Sequence, residues 1–183
     1  MTYVRLDREG LQWPCPDEQH PGTSILHEKT FAHGPRATLR ALDYTASPEQ
    51  TTPEFPLMLV TGRSLYHFNA GTMTGRSRRG ELAPADRLDI TPADAALLGI
   101  DDCALVRVVS AYGTSVLRAQ LSAEVAVGQL FATFHAPAVF LNNVTGPHRD
   151  PTTSTPEYKL TAVRVEPVVD HPEFESLSLG KRT

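Results

Sequence analysis

The sequence contains only two cysteines, Cys15 and Cys103, and this scarcity excludes several classes of protein. The two do not form a paired spacing, so this chain cannot by itself build a structural zinc site or an iron–sulfur cluster. They are also too few for a disulfide framework, which favours a reducing, cytoplasmic setting.

Long apolar runs are missing as well. No stretch of the 183 residues approaches membrane-spanning length, and the N-terminal MTYVRLDREG lacks the apolar core of a signal peptide. We therefore expect no membrane partner. An isoelectric point near 6.0 gives no reason to expect nucleic acid as a partner either.

The common catalytic and nucleotide-binding signatures are absent too. The chain has no Walker phosphate loop, no dinucleotide glycine fingerprint and no GxSxG turn. Its seven histidines include no pair four residues apart that would indicate a metal site. His67 and His135 differ from the others because each follows a predicted strand, although a structural or surface histidine is the commoner role for such residues.

Acidic residues are missing from one window, residues 57–80, which nevertheless contains four arginines. The window opens with the apolar run Leu57–Val60, which predicts a buried strand. Thr61-Gly62-Arg63 ends that run, and glycines, hydroxyls and arginines crowd the next positions. Glycine lets backbone N–H groups approach a ligand, and arginine suits phosphate. The window therefore predicts an anion-binding loop, with a solvated basic loop as the alternative.

Downstream of this window, the pattern predicts short strands around one helix. Thr91-Pro92-Ala93-Asp94 predicts a capped helix start with a capping-box-like pair, and Gly99 predicts a left-handed end. Strands are expected over residues 88–90, 104–110, 114–121, 129–134 and 161–165. Repeated short strands with one capped helix predict a small mixed barrel rather than a doubly wound sheet.

Residues 1–53 are predicted to be an extended N-terminal arm, because prolines and glycines interrupt any periodicity. Only residues 37–44, ATLRALDY, alternate weakly and predict an edge strand. Such an arm needs the rest of the chain or a neighbouring domain to lie against. Residues 169–183 are charged and weakly patterned, and we expect a flexible tail there.

Five motifs in order resemble the C-terminal part of a molybdopterin oxidoreductase: WPCPD, TGRSLYHFNAGTMTGRS, TPADAALLGI, PEYK and AVRVEP. The resemblance runs from about Gly10 to Pro167 and is closest to the catalytic (alpha) subunit of formate dehydrogenases. It implies a mainly β fold with short helices, a six-stranded double-psi β-barrel over residues 54–168. The implied cofactor is molybdopterin guanine dinucleotide, present in the full enzymes as the bis form with molybdenum or tungsten. The arm would be the link to a preceding domain.

The resemblance also implies which residues meet this cofactor, with Arg63 as the main charged contact. They lie in the turn after the first strand, in the loop that follows it and in later loops: Thr61, Gly62, Arg63, Ser64, His67, Asn69, Thr72, Met73, Thr74, His135, Asn142, Tyr158 and Lys159. A pyrophosphate needs fixed donors and positive charge, and a pterin needs flat polar contacts, which suits this set.

Parts of the family pattern are missing. The family's Asp-Gly-Asp turn reads Asp101-Asp102-Cys103 here, and loss of a residue that tolerates positive φ predicts a remodelled turn. The iron–sulfur ligands, the metal-binding Cys or selenocysteine and the catalytic His and Arg of formate oxidation lie upstream in full enzymes. We therefore expect no catalytic residue and no metal ligand here, and no formate oxidation by the isolated chain. The expected partners are the upstream catalytic domains of the same subunit and other formate dehydrogenase subunits.

Two alternatives stay open. The first is the same domain of an assimilatory nitrate reductase, although LYHFNAGTMTG and AVRVEP lean toward formate dehydrogenase. The second is a non-catalytic interaction module that kept the fold and lost the cofactor. Retention of Arg63, His67, Asn142 and Lys159 argues against the second.

Overall fold

The apolar runs of the sequence form six strands of a closed barrel in a computed structural model, which describes residues 2–83 and 85–168. The strands are β1 (Leu57–Gly62), β2 (Arg87–Ile90), β3 (Leu105–Ser110), β4 (Thr114–Leu121), β5 (Gln129–Thr133) and β6 (Leu160–Pro167). Their order around the barrel is β1-β5-β2-β4-β3-β6. The expected fold class, mainly β with a six-stranded barrel and short helices, is confirmed.

The strand pairing has an internal twofold pattern. β1 pairs with β5 and β2 with β4 in parallel, whereas β1–β6 and β3–β4 are antiparallel. The remaining pairs, β2–β5 and β3–β6, are also antiparallel. Exchanging the first three strands with the last three leaves every pairing unchanged. Because parallel strands end on the same side, the loops after β1 and β5 leave the barrel together.

Alternate side chains of the strands fill the barrel. In β1, Leu57 and Leu59 are buried while Met58 and Val60 are only half-buried, which is the period of two expected of a strand. The most deeply buried side chains come from every strand: Leu59, Leu88, Ile90, Val106, Val108, Leu117, Leu130 and Val163 among others. Burial of each such side chain contributes about 1.5–3 kcal/mol to folding.

One helix of the barrel, α2 (Pro92–Leu98), begins and ends as predicted; α1 (Tyr3–Leu6) precedes it in the chain. The Thr91 hydroxyl oxygen accepts a hydrogen bond from the Asp94 backbone N–H at 3.0 Å, and Gly99 closes the helix at φ 66°. The reciprocal half of the expected capping box is not formed. The Asp94 carboxylate instead accepts from the Thr91 hydroxyl and from the Gly128 N–H, because the loop after β4 packs beside the helix start.

The chain divides into two compact units, the first ending at Thr45 and the second beginning at Ala46. In the first unit the Arg5 guanidinium donates to the carbonyls of Glu18 and His20 at 2.6 and 2.8 Å. The edge strand predicted over residues 37–44 is wrong: this segment has no strand partner within the described residues, and its apolar side chains are exposed. The boundary at residue 53 stays a prediction, and the predicted tail, 169–183, lies outside the described residues. No helix in the described part of the chain is long and apolar enough to cross a membrane.

Candidate functional site

Two buried histidines meet where the loops after β1 and β5 leave the barrel. Gly62 and Thr133 pair at the ends of these strands, so the loops that follow start side by side. His67 and His135, one from each loop, stack with ring centroids 3.9 Å apart and planes 10° apart. The two residues, 68 positions apart in sequence, therefore form a single feature of the site.

The turn at the end of β1 is tied to the segment before β6. The Thr61 hydroxyl donates to the Tyr158 carbonyl at 2.7 Å, and the Thr61 N–H donates to the Lys159 carbonyl at 3.1 Å. The Lys159 ammonium returns a 3.3 Å hydrogen bond to the Thr61 carbonyl. Gly62 is required here because a Cβ at this position would collide with the Phe131 ring. Thr61, Tyr158 and Lys159 are thus brought together, as expected of residues that close over one ligand.

The loop after β1 folds around His67. Ser64 Oγ accepts from the His67 backbone N–H at 3.1 Å, and Thr74 Oγ1 lies 3.1 Å from His67 Nδ1. Gly71, at φ 70°, passes so close to the histidine pair that an added Cβ would lie 3.1 Å from the His135 carbonyl oxygen. The structure therefore places Ser64 and Thr74 around the stacked pair. The backbone at position 71 packs against the pair so closely that only glycine fits there without strain.

Two cations belong to this region: Lys159 donates to the Thr61 carbonyl, and Arg63 follows Thr61 by two residues in the chain. Lys159 Nζ lies 5.6 Å above the Phe134 ring, and the Arg63 guanidinium lies 5.2 Å above the Phe68 ring. Neither cation makes an ion pair with a carboxylate within the described residues. Two cations beside hydroxyl and backbone donors suit a pyrophosphate. The donor set therefore fits an anionic dinucleotide.

Four of the predicted residues are not joined to this cluster by a described contact. Asn69, at φ 49°, and its neighbours Thr72 and Met73 are exposed on the same loop. Asn142 is exposed in the 3₁₀ turn Leu141–Val144, which packs against β3 and β4. Their roles stay predictions.

Asp86 is a member of the site that the sequence did not reveal. Its carboxylate is fully buried and accepts hydrogen bonds from the Thr133 hydroxyl at 2.6 Å and from the His135 and Ala136 N–H groups at 3.0 and 2.9 Å. No sequence signal identifies it, because its partners lie about fifty residues away. The Ala83 carbonyl was equally unpredictable, and it lies 2.9 Å from Nε2 of both His67 and His135.

A cleft of about 790 Å³ opens beside this cluster. Ser64, Asp86 and His135 line one part of it, and residues of β2, β4 and β5 are among those that line the rest. Burial raises the pKa of Asp89 on β2, and the nearby Glu124 raises it further while Arg87 opposes the shift. Among the described residues, no group of three or more His, Cys, Asp or Glu side chains could hold a metal ion.

The chain belongs to the family described as "Molydopterin dinucleotide binding domain", whose family model matches residues 57–162. This range includes strands β1 to β5 completely and the start of β6. The family resemblance predicted from the five motifs is therefore confirmed.

Among curated relatives, the chain is 36% identical over 170 residues to "F420-dependent formate dehydrogenase 1 subunit alpha" of Methanococcus maripaludis, covering 92% of this chain and 25% of that protein. It is 36% identical over 176 residues to "Formate dehydrogenase H" of Escherichia coli, covering 92% and 24%. To the "Assimilatory nitrate reductase catalytic subunit" of Bacillus subtilis it is 33% identical over 174 residues, again covering 92% and 24%. The chain thus spans about one quarter of the length of the curated relatives it matches.

Among solved structures, acetylene hydratase from Pelobacter acetylenicus superposes with a TM-score of 0.52 at 16% identity. The match covers 63% of this chain and 19% of that one. At this identity the likeness concerns the fold alone.

Proposed function

We propose that this chain is the cofactor-binding domain of a formate dehydrogenase-type oxidoreductase, and that it holds one molybdopterin guanine dinucleotide at the end of the barrel where the loops after β1 and β5 meet. The observation that carries the proposal is the pair of cations, Arg63 and Lys159, beside the Thr61-Gly62 turn in a chain of the dinucleotide-binding family. When bound, the cofactor supplies the redox chemistry through molybdenum or tungsten, and the chain supplies binding and orientation.

Each group has a role that its position supports. Arg63 and Lys159 would neutralise the pyrophosphate, and Gly62 would let β1 end against the Phe131 ring, where a Cβ would collide. Ser64 and Thr72 would donate hydroxyl hydrogens, and His67, Asn69, Met73, Thr74, His135, Asn142 and Tyr158 would line the rest of the cofactor. The buried histidine pair would form the floor beneath these groups.

Formate oxidation to carbon dioxide would be carried by upstream catalytic domains of the same subunit, in the cytoplasm, together with other formate dehydrogenase subunits. The length of the relatives and the formate dehydrogenases among them support this assignment. The second candidate is the same domain of an assimilatory nitrate reductase, which the Bacillus subtilis relative favours at slightly lower identity.

Calorimetric titration of this chain with anaerobically extracted cofactor tests the proposal. Arg63→Ala and Lys159→Ala should each weaken binding by roughly 10- to 150-fold, since a charge-assisted hydrogen bond to phosphate is worth about 1.5–3 kcal/mol. The loss should shrink at high salt.

Arg107→Gln is the matched control, because it removes one positive charge from β3 that is paired with Glu166. Its affinity should stay within about twofold of the wild type. Undetectable binding by the wild type, or full affinity in Arg63→Ala, would overturn the proposal. The interaction module that lost its cofactor would then be the better description.

A further inference from the structure

The stacked histidines share one hydrogen-bond acceptor. Nε2 of His67 and Nε2 of His135 both lie 2.9 Å from the carbonyl oxygen of Ala83. A carbonyl oxygen carries no hydrogen, so each Nε2 must be the donor. The shared carbonyl thus assigns a proton to Nε2 of both rings.

The other ring nitrogens face different partners. Nδ1 of His67 lies 3.1 Å from Thr74 Oγ1, which already accepts from the Phe68 N–H at 3.2 Å. The Thr74 hydroxyl hydrogen is therefore available to His67 Nδ1. With Nδ1 accepting and Nε2 donating, both nitrogens of a neutral His67 ring have a partner. Nδ1 of His135 lies 2.7 Å from Asp86 Oδ1, without meeting the angle of a hydrogen bond.

Both carboxylate oxygens of Asp86 accept hydrogen bonds, three in all, and this set of donors favours an ionised carboxylate. Its side chain has no exposed surface, and a buried charge is unfavourable unless an opposite charge compensates it. Within the described residues, His135 is the one basic side chain at ion-pair distance from it. A lone pair on His135 Nδ1 would repel the carboxylate, whereas an N–H there attracts it.

We propose that Asp86 holds His135 as a doubly protonated imidazolium stacked on neutral His67, and that this buried ion pair, which carries no net charge, positions the two cofactor loops. The inference rests on the proposed function. Asp86 is a positioning residue, since it acts through His135 and through the backbone N–H groups of residues 135 and 136. Stacking a cation on the face of a neutral aromatic ring is favourable, whereas two stacked cations would repel each other. The stacked pair therefore favours one charged ring and one neutral ring.

Nitrogen-15 NMR of the ring nitrogens, recorded on this whole chain, tests the charge state. The expected spectrum has both nitrogens of His135 protonated and only Nε2 of His67 protonated at neutral pH. His67→Asn and His135→Asn variants assign the signals. A His135 ring with one unprotonated nitrogen in the wild type would overturn the proposal, whether or not the chain binds cofactor.

Asp86→Asn tests the positioning role. The carboxamide has the same shape and no charge, so His135 should become neutral and affinity for extracted cofactor should fall about tenfold. Asp89→Asn is the same change three residues along the chain, and it should alter neither the charge of His135 nor the affinity for the cofactor. If Asp86→Asn does not fold, Thr133→Val removes one of the three donors to the carboxylate and should shift both readouts partway. A folded variant that loses the His135 charge yet binds like the wild type would overturn the positioning role while leaving the proposed function intact.

Discussion

Replacing Cys103 with glycine should stabilise the protein, because Cys103 adopts a left-handed backbone conformation with φ 63°. The conformation is fixed on both sides: the Cys103 N–H donates to the Ala119 carbonyl at 3.0 Å, and its own carbonyl accepts from Arg118 at 2.9 Å. The side chain contributes little, since it is exposed and its thiol lies 3.8 Å from the Asp102 carboxylate.

Two opposing terms set the size of the effect. A left-handed conformation costs a residue with a Cβ about 1–2 kcal/mol. Glycine loses more conformational freedom on folding than cysteine does, and this loss opposes the gain in stability by about 0.5–1 kcal/mol. Cys103→Gly should therefore gain about 0.5–1 kcal/mol, a rise in Tm of about 2 °C for a chain of this length.

Urea unfolding followed by circular dichroism measures the gain as a shift of the midpoint at unchanged slope. Cys103→Ala is the matched control, because it removes the thiol and keeps a Cβ, so it should not gain. Gly99→Ala makes the opposite change at φ 66° with open space around the added Cβ, and should lose about 1 kcal/mol. A Cys103→Gly variant no more stable than Cys103→Ala would refute the reasoning.

Two further predictions concern polar contacts of the barrel. The Glu49 carboxylate accepts a hydrogen bond from Tyr112 and raises the pKa of that phenol from 10.0 to about 12. Glu49→Gln should return the Tyr112 pKa toward 10.0 in an NMR titration. An unchanged Tyr112 pKa would contradict the assignment. Because the folded-state pKa is raised, the associated stability is present below pH 10 and is lost as pH approaches 12, and it is small since Tyr112 is 41% exposed. Thr91→Ala should cost about 1 kcal/mol in urea unfolding by removing the cap of α2, whereas Thr91→Ser should retain most of it; equal stability of the two variants would show that the cap contributes nothing.

Local patterns were sufficient to predict the elements of the barrel. The hairpin of β3 and β4 begins and ends within one residue of the predicted bounds, because alternation and a short turn are encoded in neighbouring residues. The helix between Thr91 and Gly99 was predictable for the same reason, since its cap and its left-handed end are properties of single residues.

Contacts between distant segments were not predictable in the same way. The weak alternation of residues 37–44 looked like a strand, but a strand needs a neighbour, and the sequence does not show whether one is present. Nothing in the local sequence distinguishes Asp86, because barrel closure alone brings it to His135. At Asp101-Asp102-Cys103 the chain lacks the family's glycine, yet the positive φ belongs to Cys103 and not to Asp102, which stands at the glycine position.

The prediction of the site was similarly divided. Resemblance supplied the thirteen cofactor residues together, without saying which of them touch. The structure joins Thr61 to Tyr158 and Lys159, and His67 to His135, through hydrogen bonds and stacking. These links depend on β1 lying parallel to β5 and antiparallel to β6, which no local pattern encodes.

The twofold pattern of strand pairing gives this barrel two equivalent pairs of loops. Exchanging the two halves makes the loop after β1 equivalent to the loop after β4, and the loop after β5 equivalent to the loop after β2. The first pair of loops meets through His67 and His135, and the second pair meets through Asp94 and the Gly128 N–H.

The barrel therefore offers two equivalent meeting points and uses them differently. At the second, the loop after β4 is only seven residues long, residues 122–128, and the Asp94 carboxylate is satisfied by the chain's own donors. At the first, the loops are several times longer and present Arg63 and Lys159 without carboxylate partners among the described residues. Since the strands around both points are paired alike, the topology alone cannot select a ligand. We propose that loop length and charge at one end carry that selection, so substitutions at Arg63 and Lys159 test the proposed function and substitutions at Asp94 test only the fold.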